Sequence, residues 1–91
     1  MKIEMLRNYR RNKRLKEHLR NGNENEFHIV STEVQDVEDY IRNIQDDMTR
    51  NIFTMVYVDG MLHKEVGKKL GYTRAGITTR IHQQLMEDSP G

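Results

Sequence analysis

The sequence predicts a small all-α protein, and three observations carry that prediction. Val34, Val37, Ile41, Ile44 and Met48 recur at steps of 3, 4, 3 and 4, the spacing of one helix face. The single proline in 91 residues is Pro90, so no ring interrupts the chain before its last two positions. Glycine falls at punctuation points instead: Gly22, Gly60 and Gly71 each follow a segment of helical pattern.

Taken in order, residues 2–20 read as one helix rich in Leu, Lys, Arg and Glu, with a thin apolar stripe from Ile3, Leu6, Leu15 and Leu19. Asn21-Gly22-Asn23 ends it, with Gly22 as a left-handed cap. Residues 21–31 read as a linker in which Phe27, Ile29 and Val30 look extended, which would suit a short β-bridge with a second chain. Thr32 and Gln35 have the form of a capping box, opening the helix of the Val34-to-Met48 stripe. Asp46-Asp47 starts the next helix, where two acids suit the positive end of the dipole. It carries Ile52, Phe53, Val56 and Tyr57 and stops at Asp59-Gly60. A short helix from Leu62 to Leu70 is expected to bury Leu62, Val66 and Leu70. Gly71 turns the chain, Thr73 caps the last helix, and Ile77, Ile81 and Leu85 form its inner face. After Met86 the polar tail is expected to fray. The organisation is thus a basic helix and linker at residues 1–31, then a helical domain at residues 32–91.

Composition narrows the function classes. With no cysteine there is no disulfide and no thiolate metal site. His18, His28, His63 and His82 lack metal-ligand spacing, and no phosphate-binding glycine loop or nucleophile elbow appears. Neither an enzyme nor a cofactor is expected. No apolar run approaches a membrane span, and the charged N-terminus lacks a signal-peptide core, so a cytoplasmic protein without membrane contact is expected. The net charge of +1 conceals a split: residues 1–20 carry eight bases against two acids, and residues 24–47 carry eight acids against Arg42. That split fits a nucleic-acid binder with an acidic outer side, and equally a self-neutralising helical bundle. The basic helix has three readings: it tracks phosphates, pairs with the acidic helix, or binds a protein.

A small residue at Gly67, a glycine four residues on at Gly71 and an aliphatic six further at Ile77 give the spacing of a helix-turn-helix. The stretch "VYVDGMLHKEVGKKLGYTRAGITTRIHQQL" resembles region four of bacterial sigma factors, through Asp59-Gly60, Glu65 to Gly67, Leu70-Gly71, Thr73-Arg74 and Arg80-Ile81. "DDMTRNIFTMVYV" resembles the helix that packs across the motif in that family, so the likeness covers about residues 46–86. "LRNYRRNKRLKEHL" is similar to the basic opening helix of small phage-encoded regulators, whereas no promoter-melting region is present. The resemblance implies a regulator from a phage or mobile element of a Gram-positive bacterium, with its last helix in the major groove of double-stranded DNA.

Projected at 100° per residue, Ala75, Thr79, His82 and Gln83 point away from Ile77, Ile81 and Leu85, with Arg74, Gly76, Thr78 and Arg80 on the flanks. Thr73 and the small residues behind it would let the backbone approach the groove. Ala75 and the threonine methyls suit thymine methyls, and Thr79 or Gln83 suits base edges. Arg74, Arg80, His63, Lys64 and Lys68 suit phosphates. Gly76 has two readings, close backbone approach or a tolerated first-turn glycine. The expected function is sequence-specific transcriptional regulation by a homodimer, with RNA polymerase as a further partner. Two alternatives stand beside it: a phage DNA-packaging recognition subunit, and a module that binds RNA polymerase or a sigma factor.

Overall fold

A computed structural model describes residues 3–19 and 24–87. The fold is all-α. Among the described residues six helices follow in order: α1 (Ile3–Arg7), α2 (Tyr9–His18), α3 (Glu24–Arg42), α4 (Asp47–Phe53), α5 (His63–Leu70) and α6 (Arg74–Glu87). A π-helical stretch, Thr54–Val58, continues α4. The expected cap at Gly22 and the tail from Asp88 onward lie outside the described residues.

The first helix is one axis with a flaw in it. Asn8 separates α1 from α2, yet Asn8 N–H reaches Glu4 O at 2.9 Å and Asn12 N–H reaches Asn8 O at 2.8 Å. The linker expected at residues 21–31 is corrected: from Glu24 onward the chain is helix, and the boundary placed after Ser31 falls within α3. Phe27 and Val30 belong to the same 3–4 stripe as Val34, Val37 and Ile41, one turn and a half further back. Burial of Val30 offsets the small helical cost of β-branched residues. Thr32 is therefore no cap. Its hydroxyl donates to the His28 carbonyl four residues back, the mid-helix habit of threonine. With Phe27, Ile29 and Val30 helical, the expected β-bridge has no extended strand to use.

The helix start expected at Asp46-Asp47 is observed, and Asp46 is its N-cap. Its carboxylate accepts from Thr49 N–H at 2.8 Å and from Thr49 Oγ1 at 2.7 Å, which opens α4. These two bonds hold the Asp46 carboxyl below its usual range. In the π-helical stretch Asp59 N–H reaches back five residues to Thr54 O, and Met61 N–H reaches Met55 O. The expected burial of Leu62 is also corrected. Leu62 is extended (φ −73°, ψ 151°) just ahead of α5 and is 63% exposed. Its backbone N–H donates to the Glu65 side chain at 3.0 Å, half of a capping box whose other half a leucine cannot supply.

The core runs from Leu6 and Tyr9 through Val34, Val37 and Ile41 to Ile52, Phe53, Val66, Ile77 and Ile81. Phe53 is at its centre, fully buried, with ring centroids 6.0 Å from Tyr40 and 5.5 Å from Tyr57. Each fully buried aliphatic or aromatic side chain contributes about 1.5–3 kcal/mol. Between α2 and α3 the contact is polar as well. Tyr9 OH donates to Glu38 at 2.7 Å, Lys13 Nζ to the same oxygen at 3.1 Å, and Asn12 to Glu33 at 3.0 Å. The Tyr9 bond, aided by Lys13, lowers the Glu38 pKa, and burial raises that of Tyr9.

At Gly67 the packing is backbone on backbone. A Cβ added at Gly67 would stand 2.5 Å from Tyr72 O and 3.2 Å from the Thr73 carbonyl carbon. Gly67→Ala is expected to lose about 1–3 kcal/mol, the cost of forcing atoms into a filled site. Thermal unfolding followed by circular dichroism checks this; an unchanged Tm would mean that the turn yields freely.

Candidate nucleic-acid interface

The candidate surface is built on α5, its turn and α6. Gly71 adopts the left-handed conformation (φ 80°), and Tyr72 N–H returns to Gly67 O at 2.8 Å, the six-to-one bond of a Schellman end. Two residues later Thr73 Oγ1 accepts from Gly76 N–H at 3.0 Å and caps α6. A Cβ at Gly76 would meet that hydroxyl at 3.2 Å, so Gly76 has a local structural reason to be small.

Ile77 and Ile81 are buried beneath α6, and Leu85 is half-buried. The helix is therefore fixed about its axis. Its outer face consists of Arg74, Ala75, Thr79, His82 and Gln83, all exposed, with Thr73 exposed just ahead. Lys64 and Lys68 are exposed on α5. Gly76, Thr78 and Arg80 lie half-buried, whereas Arg74, projected onto the flanks with them, is exposed. No Asp or Glu occurs between Glu65 and Glu87.

Three of the candidate residues are tied to the fold. His63 Nδ1 is 2.8 Å from Thr78 Oγ1, a bond that joins the start of α5 to α6. The Thr78 hydroxyl gives its one hydrogen to the Arg74 carbonyl at 3.1 Å. Burial, then the charges of Arg74 and His82, lowers the His63 pKa from its ordinary 6.5. Arg80 is held by two residues: its guanidinium carbon stands 4.9 Å over the Tyr72 ring, it donates to Tyr72 OH at 3.3 Å, and it is 3.8 Å from Asp46. Its guanidinium fastens α6 to the N-terminus of α4 more than it offers itself outward.

Two contributors carried no usable sequence signal. Tyr72 holds Arg80, and a stacked pair eight residues apart across a turn follows no helical period. Arg10 of α2 places its guanidinium in the space a Cβ on Gly60 would take, just ahead of α5. A shallow groove of about 500 Å³ beside α5 has Val56, Met61 and Leu62 as its apolar side and His63, Lys64 and Arg74 as its polar side. Among the described residues no cluster of three His, Cys, Asp or Glu could hold a metal ion, and no helix is long and apolar enough to cross a membrane.

Comparison with known proteins returns no match: no family model fits the chain, and no curated protein or solved structure is significantly similar to it.

The depressed His63 pKa gives a signed expectation. The folded protein keeps His63 neutral while the unfolded chain takes up a proton near pH 6.5, so protonation favours unfolding. Stability from this group is complete above pH 6.5 and falls as pH drops below it. Melting temperatures from pH 7.5 to 5.0 are expected to fall for the wild type and to fall less for His63→Gln. Parallel curves would show that His63 titrates alike in both states.

Proposed function

We propose that the protein binds double-stranded DNA in a sequence-specific manner through α6 and acts as a transcriptional regulator. The observation that carries this reading is the outer face of α6, Arg74, Ala75, Thr79, His82 and Gln83. It is exposed, free of carboxylates, composed of small and hydrogen-bonding side chains, and braced from beneath by Ile77 and Ile81. Small residues at the front of a helix permit close approach to a groove floor. Thr79 and Gln83 can then address base edges, and Ala75 a thymine methyl. Arg74, Lys64 and Lys68 supply phosphate contacts at the edges, and the positive end of the α6 dipole adds to them. The likeness to sigma region four and to small phage regulators supports the same reading at the level of motif.

A homodimer reading two half-sites follows from the modest surface that one such helix offers. Ile29 at 59% and Leu15 at 40% exposure are the apolar side chains of α3 and α2 that such a dimer would cover. Sedimentation equilibrium at micromolar concentration tests it, and a monomer throughout would remove it. Leu62, 63% exposed at the rim of the α5 groove, favours a second reading in which this end binds RNA polymerase or another protein.

Selection of bound duplexes from a random pool, followed by fluorescence anisotropy, tests the main reading. Thr79→Ala and Gln83→Ala are each expected to cost about 1–3 kcal/mol against the selected sequence, roughly 5- to 150-fold in Kd, with far less effect on random duplex. Equal losses on both would assign these residues to general affinity and remove base reading by α6.

A further inference from the structure

The N-terminal helix holds four exposed arginines to which the fold gives no carboxylate partner among the described residues. Backbone bonds run through Asn8, so α1 and α2 share an axis. At 100° per residue Arg7, Arg10, Arg11 and Arg14 fall within an arc of about 100°, opposite Tyr9, Asn12 and Lys16. All four are exposed, and none pairs with a carboxylate among the described residues. Lys13 differs, because its ammonium is bound to Glu38 and Tyr9. Like charges three and four residues apart oppose helix formation by a few tenths of a kcal/mol per pair. Alone, then, the stripe works against the helix that carries it.

Its position suggests what it serves. The Arg10 guanidinium lies over Gly60, whose left-handed turn (φ 75°) leads into α5. His63 is three residues further on, at most roughly 11 Å of chain. Arg10 therefore stands at the turn that opens α5, on the approach to His63, Lys64 and the outer face of α6. From residue 7 to residue 14 the arc contains no aliphatic or aromatic side chain, and Ile3, which shares it one turn earlier, packs against the core, so the stripe has nothing to insert into a lipid surface. A row of fixed cations of this kind matches the regular charge of a nucleic-acid backbone.

We infer that Arg7, Arg10, Arg11 and Arg14 form a second phosphate-binding stripe, which grips the backbone of the same duplex that α6 enters. The inference rests on the duplex-binding reading of α6 and extends its footprint to the N-terminal helix. The contacts are sequence-independent, and they raise both affinity and salt sensitivity.

The test is duplex anisotropy across a salt series for the wild type, Arg10→Gln with Arg14→Gln, Arg11→Gln with Arg14→Gln, and Lys13→Gln, with thermal melts to verify folding. The second pair spares Arg10, so a disturbed Gly60 turn cannot imitate the result. Each lost phosphate contact lowers the slope of log K against log salt by roughly 0.9, so both arginine pairs are expected to lower it by about 1–2. Affinity should fall alike for selected and random duplexes, and Lys13→Gln should leave the slope unchanged. Folded arginine variants with the wild-type slope and affinity would overturn the stripe and leave α6 as the reader. A folded wild type that binds no duplex at low salt would overturn both.

Discussion

The turn between α5 and α6 passes so close to Gly67 that no side chain fits between them. That approach sets the direction in which α6 leaves the turn. Gly71 makes the reversal possible with its left-handed backbone, and the bond from Tyr72 N–H to Gly67 O closes it. Thr73 then caps α6 at once, so helix geometry begins with no slack. Ile77 and Ile81 are thereby delivered to the core beside Val66 and Phe53, and which residues of α6 face outward is decided. A bulkier residue at Gly67 would shift the whole chemically interesting face.

The N-terminal helices join this unit through α4. Ile52 and Phe53 are fully buried, and the Phe53 ring lies against Tyr40 of α3 and Tyr57 of the π-helical stretch. Asp46 acts at the same joint: it caps α4 through Thr49 and draws Arg80 of α6 toward it. The wider π-helical turns end α4 with Asp59 and Met61 bonded back to Thr54 and Met55. The Gly60 turn that follows lies beneath Arg10, so helix termination and the placement of the N-terminal arginines are one local event.

Periodicity made most of this fold legible. Val34, Val37, Ile41, Ile77 and Ile81 are each in the core, and the caps at Asp46 and Thr73 rest on local bonds that residue types announce. The start of α3 was hidden because Ile29-Val30 and Ser31-Thr32 combine strand-like and cap-like residues. Only tertiary burial of Val30 shows which side wins. Leu62 misled because an apolar residue one turn before Val66 fits a stripe, yet it precedes the helix and points elsewhere. In the candidate interface the exposed face of α6 was readable from its projection. The His63–Thr78 bond and the Tyr72–Arg80 stack were not, because they join residues 15 and 8 positions apart through a turn whose geometry no single residue encodes.

The acidic helix α3 carries much of the negative charge, which opposes a polyanionic ligand brought close to it. Distance decides the matter. α3 ends near the C-terminal end of α6, where Tyr40, Asn43 and Ile44 share a cleft with Gln84 and Glu87. Arg74 is at the opposite end of a 14-residue helix, roughly 20 Å away at 1.5 Å per residue. The Debye length at physiological salt is about 8 Å, so carboxylates at that remove are largely screened from a ligand at the α6 N-terminus. Glu38 is further muted by Tyr9 and Lys13, which bond to it directly. What a duplex near Arg74 would sense is the local field of Arg74, Lys64, Lys68 and the helix dipole, set against Glu65 alone on α5, rather than a net charge of +1 summed over the whole chain.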